Sequence, residues 1–161
     1  MLLFDEDCVA LNVKVENSKD VIFLLSELLE KKGAVSAKYG DAAYKREQTY
    51  PTGLPTTPFS IAFPHADYAE VHQSALAVAM LAEPVVFKSM EGPKIDLPTQ
   101  VVILLANESP DEQVKVMRQL AKIFGEPRKL TELSNQKTIS DLVAWMRKEL
   151  KLETNQWKKD F

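Results

Sequence analysis

The sequence predicts an α/β protein with a single domain, built on a mixed β-sheet of about four to five strands with helices on both faces. Segments with helical periodicity alternate with short apolar runs, which is the pattern of helices packed against one sheet. Residues 100–106 form a nearly continuous apolar run, typical of a central strand that is covered on both faces. The 161 residues are enough for one substantial core.

The first strand and the first helix are predicted near the N-terminus. Residues 9–15 alternate loosely between apolar and polar side chains, as in a short strand. Residues 19–32 place their apolar side chains on one helical face, and Asn17 and Ser18 offer an N-cap. Gly33 stands where a helix commonly ends in a left-handed conformation. We expect this helix to pack on the core without a chemical role.

A second helix and a proline-rich loop are predicted next. Ser36 is the candidate N-cap of a helix over residues 36–48. Residues 50–58 contain three prolines and a glycine, and we interpret them as an ordered loop. The loop leads into the apolar run 59–63. Pro64 ends this run, because proline cannot donate a hydrogen bond to a strand ladder.

Two further strands are predicted in the middle of the chain. Helix and strand compete over residues 74–82, and we favour a strand because Pro84 and a second apolar run, 85–87, follow so closely. Residues 88–98 are polar and contain a glycine and two prolines, so they are interpreted as a loop. The central strand, 100–106, comes directly after this loop.

Three helices are predicted after the central strand. The first begins with Ser109 as N-cap and Pro110 in the first turn, followed by acidic residues. Its apolar face is predicted to contain Val114, Met117, Leu120, Ala121 and Phe124, and Gly125 to end it. A short helix over 126–133 and an amphipathic helix over 140–150 follow. The domain is expected to cover residues 1–150, with residues 151–161 as a polar tail.

Composition and charge exclude several classes of function. Hydrophobic residues make up 45% and charged residues 27%, a globular balance. The net charge of −3 argues against binding to nucleic acid through a basic surface. No apolar run has the length of a membrane span, and the acidic start has no basic n-region, so we expect no signal peptide. We therefore expect a cytoplasmic protein.

The reactive residue types are few. Cys8 is the one cysteine, which suits a reducing compartment, and we interpret it as a small packing residue. One cysteine and two histidines show no metal-ligand spacing, so we expect neither a metal nor a cofactor. Glycine-rich phosphate loops of the Walker or dinucleotide kind are absent, and so is a G-x-S-x-G elbow.

His65 and Arg46 remain as candidates for chemistry. His65 directly follows a strand-ending proline, so a rigid support mounts it in a loop. A neutral imidazole nitrogen can attack phosphorus, and an arginine can surround the transferred group with positive charge. The alternative for His65 is an ordinary loop histidine, and the alternative for Arg46 is a solvated surface charge.

The chain resembles enzyme IIA components of the bacterial sugar phosphotransferase system, in the mannitol/fructose-type superfamily. The resemblance rests on a helix ending in Arg46-Glu47, a Pro51-Thr52-Gly53 loop and the sequence Ile61-Ala62-Phe63-Pro64-His65. The Tyr-Pro-Thr-Gly-Leu version of the loop is closest to the galactitol-type branch. The resemblance extends along nearly the whole chain and implies the enzyme IIA mannitol-type fold.

The resemblance implies that His65 is the phosphorylated histidine of a phosphotransferase. It would accept a phosphoryl group from the histidine phosphocarrier protein and pass it to a cysteine of the cognate enzyme IIB, which in turn serves the membrane enzyme IIC. Arg46 falls on the arginine that neutralises the phosphoryl group. The transported compound would be galactitol or a related sugar or polyol.

Supporting roles are expected for three further residues. Glu47 is a possible ion-pair partner that orients Arg46. The second histidine of the mannitol branch falls on Gln113, which can donate a hydrogen bond but cannot carry a charge. His72 is a candidate if its loop lies near His65.

Phe63 replaces a residue that is usually aliphatic in the family. The apolar rim of the site, or the core beneath it, is expected to contain Phe59, Phe63, Tyr68, Val114 and Met117.

Two other functions stay open. One is a regulatory protein of the same fold, in which phosphorylation of His65 changes the binding of a regulator or enzyme. We rank it second because no DNA-binding or regulatory region is attached to the sequence. The other is a hydrolase or small-molecule binding domain with His65 as general base, for which the sequence offers no nucleophile partner.

Overall fold

The computed structural model describes residues 2–152, so the predicted tail lies outside the described residues except for its first two positions. Within this range there are five strands and five α-helices: two helices follow the first strand, four strands come next, and three helices end the domain. Their bounds are Val9–Val13 (β1), Ser18–Lys31 (α1), Tyr39–Thr49 (α2), Gly53–Leu54 (β2), Ser60–Ala62 (β3), Ala75–Ser89 (β4), Gly92–Ala106 (β5), Pro110–Phe124 (α3), Pro127–Ser134 (α4) and Ile139–Glu149 (α5). Short 3-10 turns precede β1 and β4.

The five strands form one mixed sheet, which confirms the predicted fold class. The antiparallel pair β4 and β5 is central: β1 runs parallel to β4, and β3 runs parallel to β5. The two-residue strand β2 pairs antiparallel with β3, and its Gly53 also pairs with Ser89 at the far end of β4. The short β2–β3 unit therefore pairs with the β4–β5 hairpin, whose strands contain most of the buried sheet residues.

The core occupies both faces of the β4–β5 pair. Residues 75–79 and 101–106 are buried without a break, and consecutive buried strand residues point to opposite faces. Helix α1 packs on β4 and on α2. Elsewhere the Phe124 ring of α3 lies between Phe63 and Trp145 of α5, at centroid distances of 6.4 and 6.2 Å. Helices thus cover both faces, as the sequence predicts.

The predicted ends of α1 and α3 are confirmed. Asn17 accepts a hydrogen bond from the backbone N–H of Asp20 at 2.9 Å, and Gly33 has a φ of 75°. Ser109 accepts from the backbone N–H of Glu112 at 3.2 Å, with Pro110 as the first helical residue. Within residues 2–152, none of the helices combines the length and apolar composition that spanning a lipid bilayer requires.

The predicted N-cap of α2 at Ser36 is wrong by two residues, because the N-cap is Lys38 and the helix begins at Tyr39. The Ser36 hydroxyl accepts from the backbone N–H of Lys38 at 3.2 Å and donates to the carboxylate of Glu70. Ser36 therefore closes a turn and ties it to the 3-10 segment Tyr68–Glu70.

The predicted loop 88–98 is also wrong: these residues form the last two residues of β4, the tip of a long hairpin and the first seven residues of β5. Strands β4 and β5 each contain 15 residues, and Phe87 pairs with Leu97. The prolines are tolerated because Pro84 falls in a register break and the arm beyond it is covered on one face only, with buried and exposed residues alternating along 85–89. That alternation is the strand signal which the prolines obscured.

The predicted apolar face of α3 is partly wrong. Leu120 and Phe124 are buried, but Val116 joins them, while Val114 and Ala121 are exposed. The buried residues repeat every fourth position, so the helix is rotated relative to the predicted face. Val114 points away from the core as a consequence.

Candidate functional site

His65 is held against the central strand β5 by its own backbone. The backbone N–H of Leu105 donates to the Pro64 carbonyl at 3.0 Å, and His65 and Leu105 form an isolated parallel bridge. Pro64 ends the β3 segment, so the imidazole leaves the sheet where β3 stops and β5 approaches its own end. The histidine is therefore mounted on rigid structure rather than on a free loop.

A backbone carbonyl fixes the tautomer of His65. Its Nδ1 lies 2.9 Å from the carbonyl oxygen of Phe63. A carbonyl only accepts hydrogen bonds, so Nδ1 carries the proton and Nε2 keeps its lone pair in the neutral ring. Burial lowers the pKa of His65 below its ordinary value against the effect of the Phe63 bond, and the charge of Arg46 lowers it further. The ring is thus a neutral nucleophile at neutral pH.

Arg46 lies beside the nucleophilic nitrogen. Its Nε is 3.3 Å from His65 Nε2, and its guanidinium lies 5.2 Å from the ring centre of Tyr50. The last turn of α2 supplies Arg46, and the exposed Tyr50 ring that follows limits where the guanidinium can go. The structure thus brings together the two residues that the sequence singled out.

Glu47 supports the site in a way that differs from the expected one. Its carboxylate accepts from the Thr52 hydroxyl at 2.7 Å and from the Thr52 backbone N–H at 2.8 Å. The same hydroxyl accepts from the backbone N–H of Phe63 at 3.1 Å. We call Glu47, Thr52 and the Phe63 backbone the supporting network, since it positions the carbonyl that orients His65.

The ion pair suggested between Glu47 and Arg46 is not among the salt bridges of the described residues, because Thr52 takes both carboxylate oxygens of Glu47. Burial raises the pKa of Glu47, while the hydrogen bonds from Thr52 and the nearby charge of Arg46 oppose that rise. The carboxylate therefore acts on His65 through the loop and the backbone.

Tyr39 is a further support that the sequence did not indicate. Its hydroxyl donates to the Leu105 carbonyl and accepts from the backbone N–H of Ala66 at 3.1 Å. The Tyr39 hydroxyl therefore links three segments at one buried point: helix α2, strand β5 and Ala66, the residue that follows His65. A tyrosine in the interior needs a partner for its hydroxyl, but the sequence does not show which.

A cavity of about 210 Å³ opens beside His65 Nε2. Arg46 lines it on the α2 side, and Asn107 and Gln113 line it on the side formed by the end of β5 and the start of α3. Tyr68 and Val114, which are 55% and 50% exposed, also line it. The expected apolar rim therefore includes these two residues.

The other residues expected at the rim belong to the core. Phe63 is 1% exposed, and Phe59 and Met117 are partly buried against the core cluster. His72 is exposed and is not among the residues lining the cavity; its backbone N–H donates to the Ala34 carbonyl at 2.8 Å. The structure therefore does not bring His72 to His65.

Asn107 and Gln113 carry side-chain atoms without partners. Asn107 is 2% exposed, and neither its Nδ2 nor its Oδ1 has a hydrogen-bond partner within the described part of the chain. The Nε2 of Gln113 is buried and also unpartnered there. The sequence indicated Gln113 but missed Asn107. Its position, directly after the central strand and at the edge where His65 lies, is the signal that could have found it.

The cavity is chemically suited to an anion attached to His65. A neutral nucleophilic nitrogen, a guanidinium and side-chain amide donors surround one space, and Asp67, which is exposed, adds one carboxylate to its lining. Hydrogen-bond donors and positive charge around a nucleophile stabilise a transferring phosphoryl group. Among residues 2–152 no cluster of three His, Cys, Asp or Glu side chains is arranged to hold a metal ion.

Two curated relatives from Escherichia coli K12 resemble this chain. The 2-O-α-mannosyl-D-glycerate-specific EIIABC component is 27% identical over 148 residues, covering 88% of this chain but only 21% of that longer protein. The galactitol-specific EIIA component is 29% identical over 113 residues, covering 70% of this chain and 74% of that protein.

The fold is shared with solved structures as well. The enzyme IIA of the mannitol system from Escherichia coli, in its complex with phosphorylated enzyme IIB, has a TM-score of 0.74 and 20% identity, covering 90% of this chain and 97% of that one. A family model described as "Phosphoenolpyruvate-dependent sugar phosphotransferase system, EIIA 2" matches residues 2–149. This chain therefore belongs to the EIIA 2 family of the phosphoenolpyruvate-dependent sugar phosphotransferase system.

Proposed function

We propose that this chain is a phosphoryl carrier whose acceptor atom is Nε2 of His65. The hydrogen bond from Nδ1 to the Phe63 carbonyl is the observation that carries the proposal, because it leaves the lone pair on Nε2; that lone pair accepts from the Nε–H of Arg46 and becomes free for attack when Arg46 turns to the phosphoryl oxygens. Arg46 at 3.3 Å from that atom supplies the positive charge that an arriving phosphoryl group needs. Membership of the EIIA 2 family supports this assignment.

Each transfer exchanges one bond to phosphorus for another. The Nε2 lone pair of His65 attacks phosphorus on the phosphorylated histidine phosphocarrier protein, and the donor's N–P bond breaks with its electron pair returning to the donor imidazole. A cysteine thiolate of the cognate enzyme IIB then attacks the same phosphorus, and the His65 N–P bond breaks. Arg46 neutralises the phosphoryl oxygens in both steps.

The proposed partners are two carriers and, through the second, a membrane component. The solved complex of a mannitol enzyme IIA with phosphorylated enzyme IIB supports enzyme IIB as the acceptor. The relatives named for galactitol and for 2-O-α-mannosyl-D-glycerate support a sugar or polyol system, with galactitol or a related compound as the transported substrate. The membrane enzyme IIC takes part indirectly, and we place the chain in the cytoplasm, where phosphoenolpyruvate is available.

Phosphate transfer to His65 tests the proposal. Purified chain is incubated with phosphoenolpyruvate, the histidine phosphocarrier protein and its kinase, and phosphate is quantified by intact mass and peptide mapping. We expect one acid-labile, base-stable phosphate on His65. His65→Ala should accept none, and Arg46→Ala should accept it about 100-fold more slowly, the loss typical of removing one stabilising donor.

Matched controls use residues of the same type outside the cavity. His72→Ala and Arg128→Ala should keep the wild-type rate, because both side chains are exposed and neither lines the cavity. Stoichiometric phosphate on His65→Ala contradicts the proposal.

A second assay separates transport from regulation. Phosphorylated chain is mixed with the candidate enzyme IIB, and transfer to its cysteine is followed by mass. A phosphorylated chain that keeps its phosphate but changes its binding to a regulator supports the regulatory function instead. Turnover of a phosphoester by the isolated chain, lost in His65→Ala, supports the hydrolase.

A further inference from the structure

We propose that Asn107 is a further catalytic residue: its side-chain amide donates to the phosphoryl oxygens on His65, and Gln113 supplies a second amide donor. This inference rests on the proposed function. The two amides would form the wall of the cavity that faces Arg46, so the phosphoryl group would lie between a cation and neutral donors, which together offset the exposed carboxylate of Asp67 in the same lining.

The burial of Asn107 is the first observation. The residue is only 2% exposed, yet neither polar atom of its side chain has a partner within residues 2–152. Buried polar side chains are nearly always paired, because an unpaired one loses its hydrogen bonds to water without replacement. An asparagine that lines a cavity in this state is available to a ligand in that cavity.

The second observation is that an independent element brings another unpartnered amide to the same cavity. Asn107 follows the end of β5, whereas Gln113 lies in the first turn of α3, and the Nε2 of Gln113 is also buried without a partner in the described range. The backbone between them is fixed: Glu108 N–H donates to the Ser74 hydroxyl at 2.9 Å, and Ser109 caps α3. The backbone that carries both amides is therefore held in place before any ligand arrives.

The chemistry of the ligand follows from the donors. A phosphoryl group on Nε2 is anionic near neutral pH and presents only acceptor oxygens, which match the N–H groups of Asn107 and Gln113. The Oδ1 atom of Asn107 would turn away from these oxygens. A carboxylate at position 107 would repel the same group, although it has nearly the same size and shape as the amide.

That contrast defines the decisive variants. Wild type, Asn107→Ala and Asn107→Asp are phosphorylated at pH 8 with phosphoramidate, a small donor that needs no partner protein, and the rate is followed by mass. A phosphoryl-binding role predicts a loss of about tenfold or more for Asn107→Ala and a larger loss for Asn107→Asp. A merely structural role predicts the opposite order, because Asp fills the space that Ala leaves empty.

Two controls accompany these variants. Asn135→Asp adds the same charge at an exposed position of α4's C-terminus and should keep the wild-type rate. Gln113→Ala should slow phosphorylation less than Asn107→Ala, since the Gln113 side chain has a longer, more flexible stem. Thermal unfolding of each variant shows that the protein is folded at the assay temperature.

A spectroscopic measurement tests the contact in the unaltered protein. Side-chain amide ¹H–¹⁵N resonances are recorded before and after phosphorylation of His65 by the carrier system. The Asn107 and Gln113 resonances should shift markedly, whereas that of Gln119, whose Nε2 donates to the Leu150 carbonyl at 3.1 Å, should not move. Inorganic phosphate alone serves as a further probe; shifts of equal size with free phosphate indicate a general anion site and overturn the assignment to phosphohistidine.

The outcomes separate this inference from the proposed function. A wild-type His65 that accepts no phosphate from either donor overturns both. A wild-type His65 that is phosphorylated normally, with Asn107 resonances unmoved or with Asn107→Asp faster than Asn107→Ala, overturns this inference alone.

Discussion

The two sides of the site around His65 treat buried polar groups in opposite ways. On the α2 side, Glu47 is 7% exposed, and Thr52 occupies both of its carboxylate oxygens. On the α3 side, Asn107 is 2% exposed and its amide has no partner in the described range. The α2 side is a closed hydrogen-bond network that lies behind the cavity and ends at the carbonyl which orients His65. The other is a set of open donors.

In the proposed function, the supporting network orients the His65 ring, whereas the unpartnered amides of Asn107 and Gln113 bind the phosphoryl group. A satisfied network rigidifies its members and contributes to folding stability. An unsatisfied one reduces folding stability until a ligand supplies the missing bonds. Mutations on the two sides should therefore have opposite effects. Changes in the supporting network should lower the free energy of unfolding, whereas changes at Asn107 or Gln113 should lower the rate of phosphoryl acceptance.

The largest expected effect on stability comes from Glu47→Ala. The substitution leaves the hydroxyl and the backbone N–H of Thr52 without their acceptor, so we expect a loss of about 2–3 kcal/mol in the free energy of unfolding. Urea denaturation measures it. Gln48→Ala, one residue further along α2 and exposed, should change that free energy by less than about 0.5 kcal/mol. Equal losses in the two variants would contradict the supporting role.

Asn107→Leu should move stability the other way. Leucine branches at the same carbon as asparagine and buries no unpaired amide; it is larger, but the adjoining cavity can take the added volume, so we expect the free energy of unfolding to be unchanged or raised by about 1 kcal/mol. The same urea measurement applies, and phosphoryl acceptance should slow in parallel by about tenfold or more, as for Asn107→Ala. A loss of more than about 2 kcal/mol would mean that Asn107 belongs to a satisfied network after all.

The pH dependence of folding stability and of phosphoryl acceptance tests the protonation state of His65. Its pKa is lowered in the folded protein, so between that value and the ordinary 6.5 the unfolded chain binds more protons. Folding stability should therefore fall as pH decreases through this window. The rate of phosphoryl acceptance should fall with it, since protonated Nε2 has no lone pair.

The stability effect is measured as the difference between wild type and His65→Gln across pH 7 to 5. The difference is needed because Glu47 acts with the opposite sign: its raised pKa makes the folded state bind more protons above the ordinary 4.5. A difference that does not change with pH contradicts the lowered pKa of His65.

The smallest effect is expected from the aromatic neighbour of Arg46. Tyr50→Leu removes the ring 5.2 Å from the guanidinium, and we expect phosphoryl acceptance to slow about two- to fivefold, the range of an exposed cation–π contact. Tyr50→Phe keeps the ring and should keep the rate. If both variants behave alike, Tyr50 does not position Arg46.

The sequence was sufficient for the class of fold and for the residues whose role depends on local pattern. Helix α1, its Asn17 cap and the Ser109–Pro110 start of α3 follow from spacing and capping chemistry, and the structure agrees. Arg46 and His65 were paired through the family resemblance, since 19 positions separate them in the chain.

The remaining features depend on contacts between distant segments. The long β4–β5 hairpin was missed because its prolines read as loop signals, while the pairing that accommodates them is made across the sheet. The bond from Thr52 to Glu47, the Tyr39 hydroxyl at Leu105 and the unpartnered Asn107 exist only once strands and helices are packed. Periodicity reports which face is buried and not which buried polar group lacks a partner.

The bond between His65 Nδ1 and the Phe63 carbonyl has a consequence for proton flow. With phosphorus on Nε2, loss of the Nδ1 proton would set a nitrogen lone pair against an oxygen lone pair at 2.9 Å. In the proposed function the ring would therefore keep this proton as a phosphoimidazolium and would depart from phosphorus as a neutral imidazole. No proton has to move at His65 when the group arrives or when it leaves. Both half-reactions should consequently show a solvent deuterium isotope effect close to one.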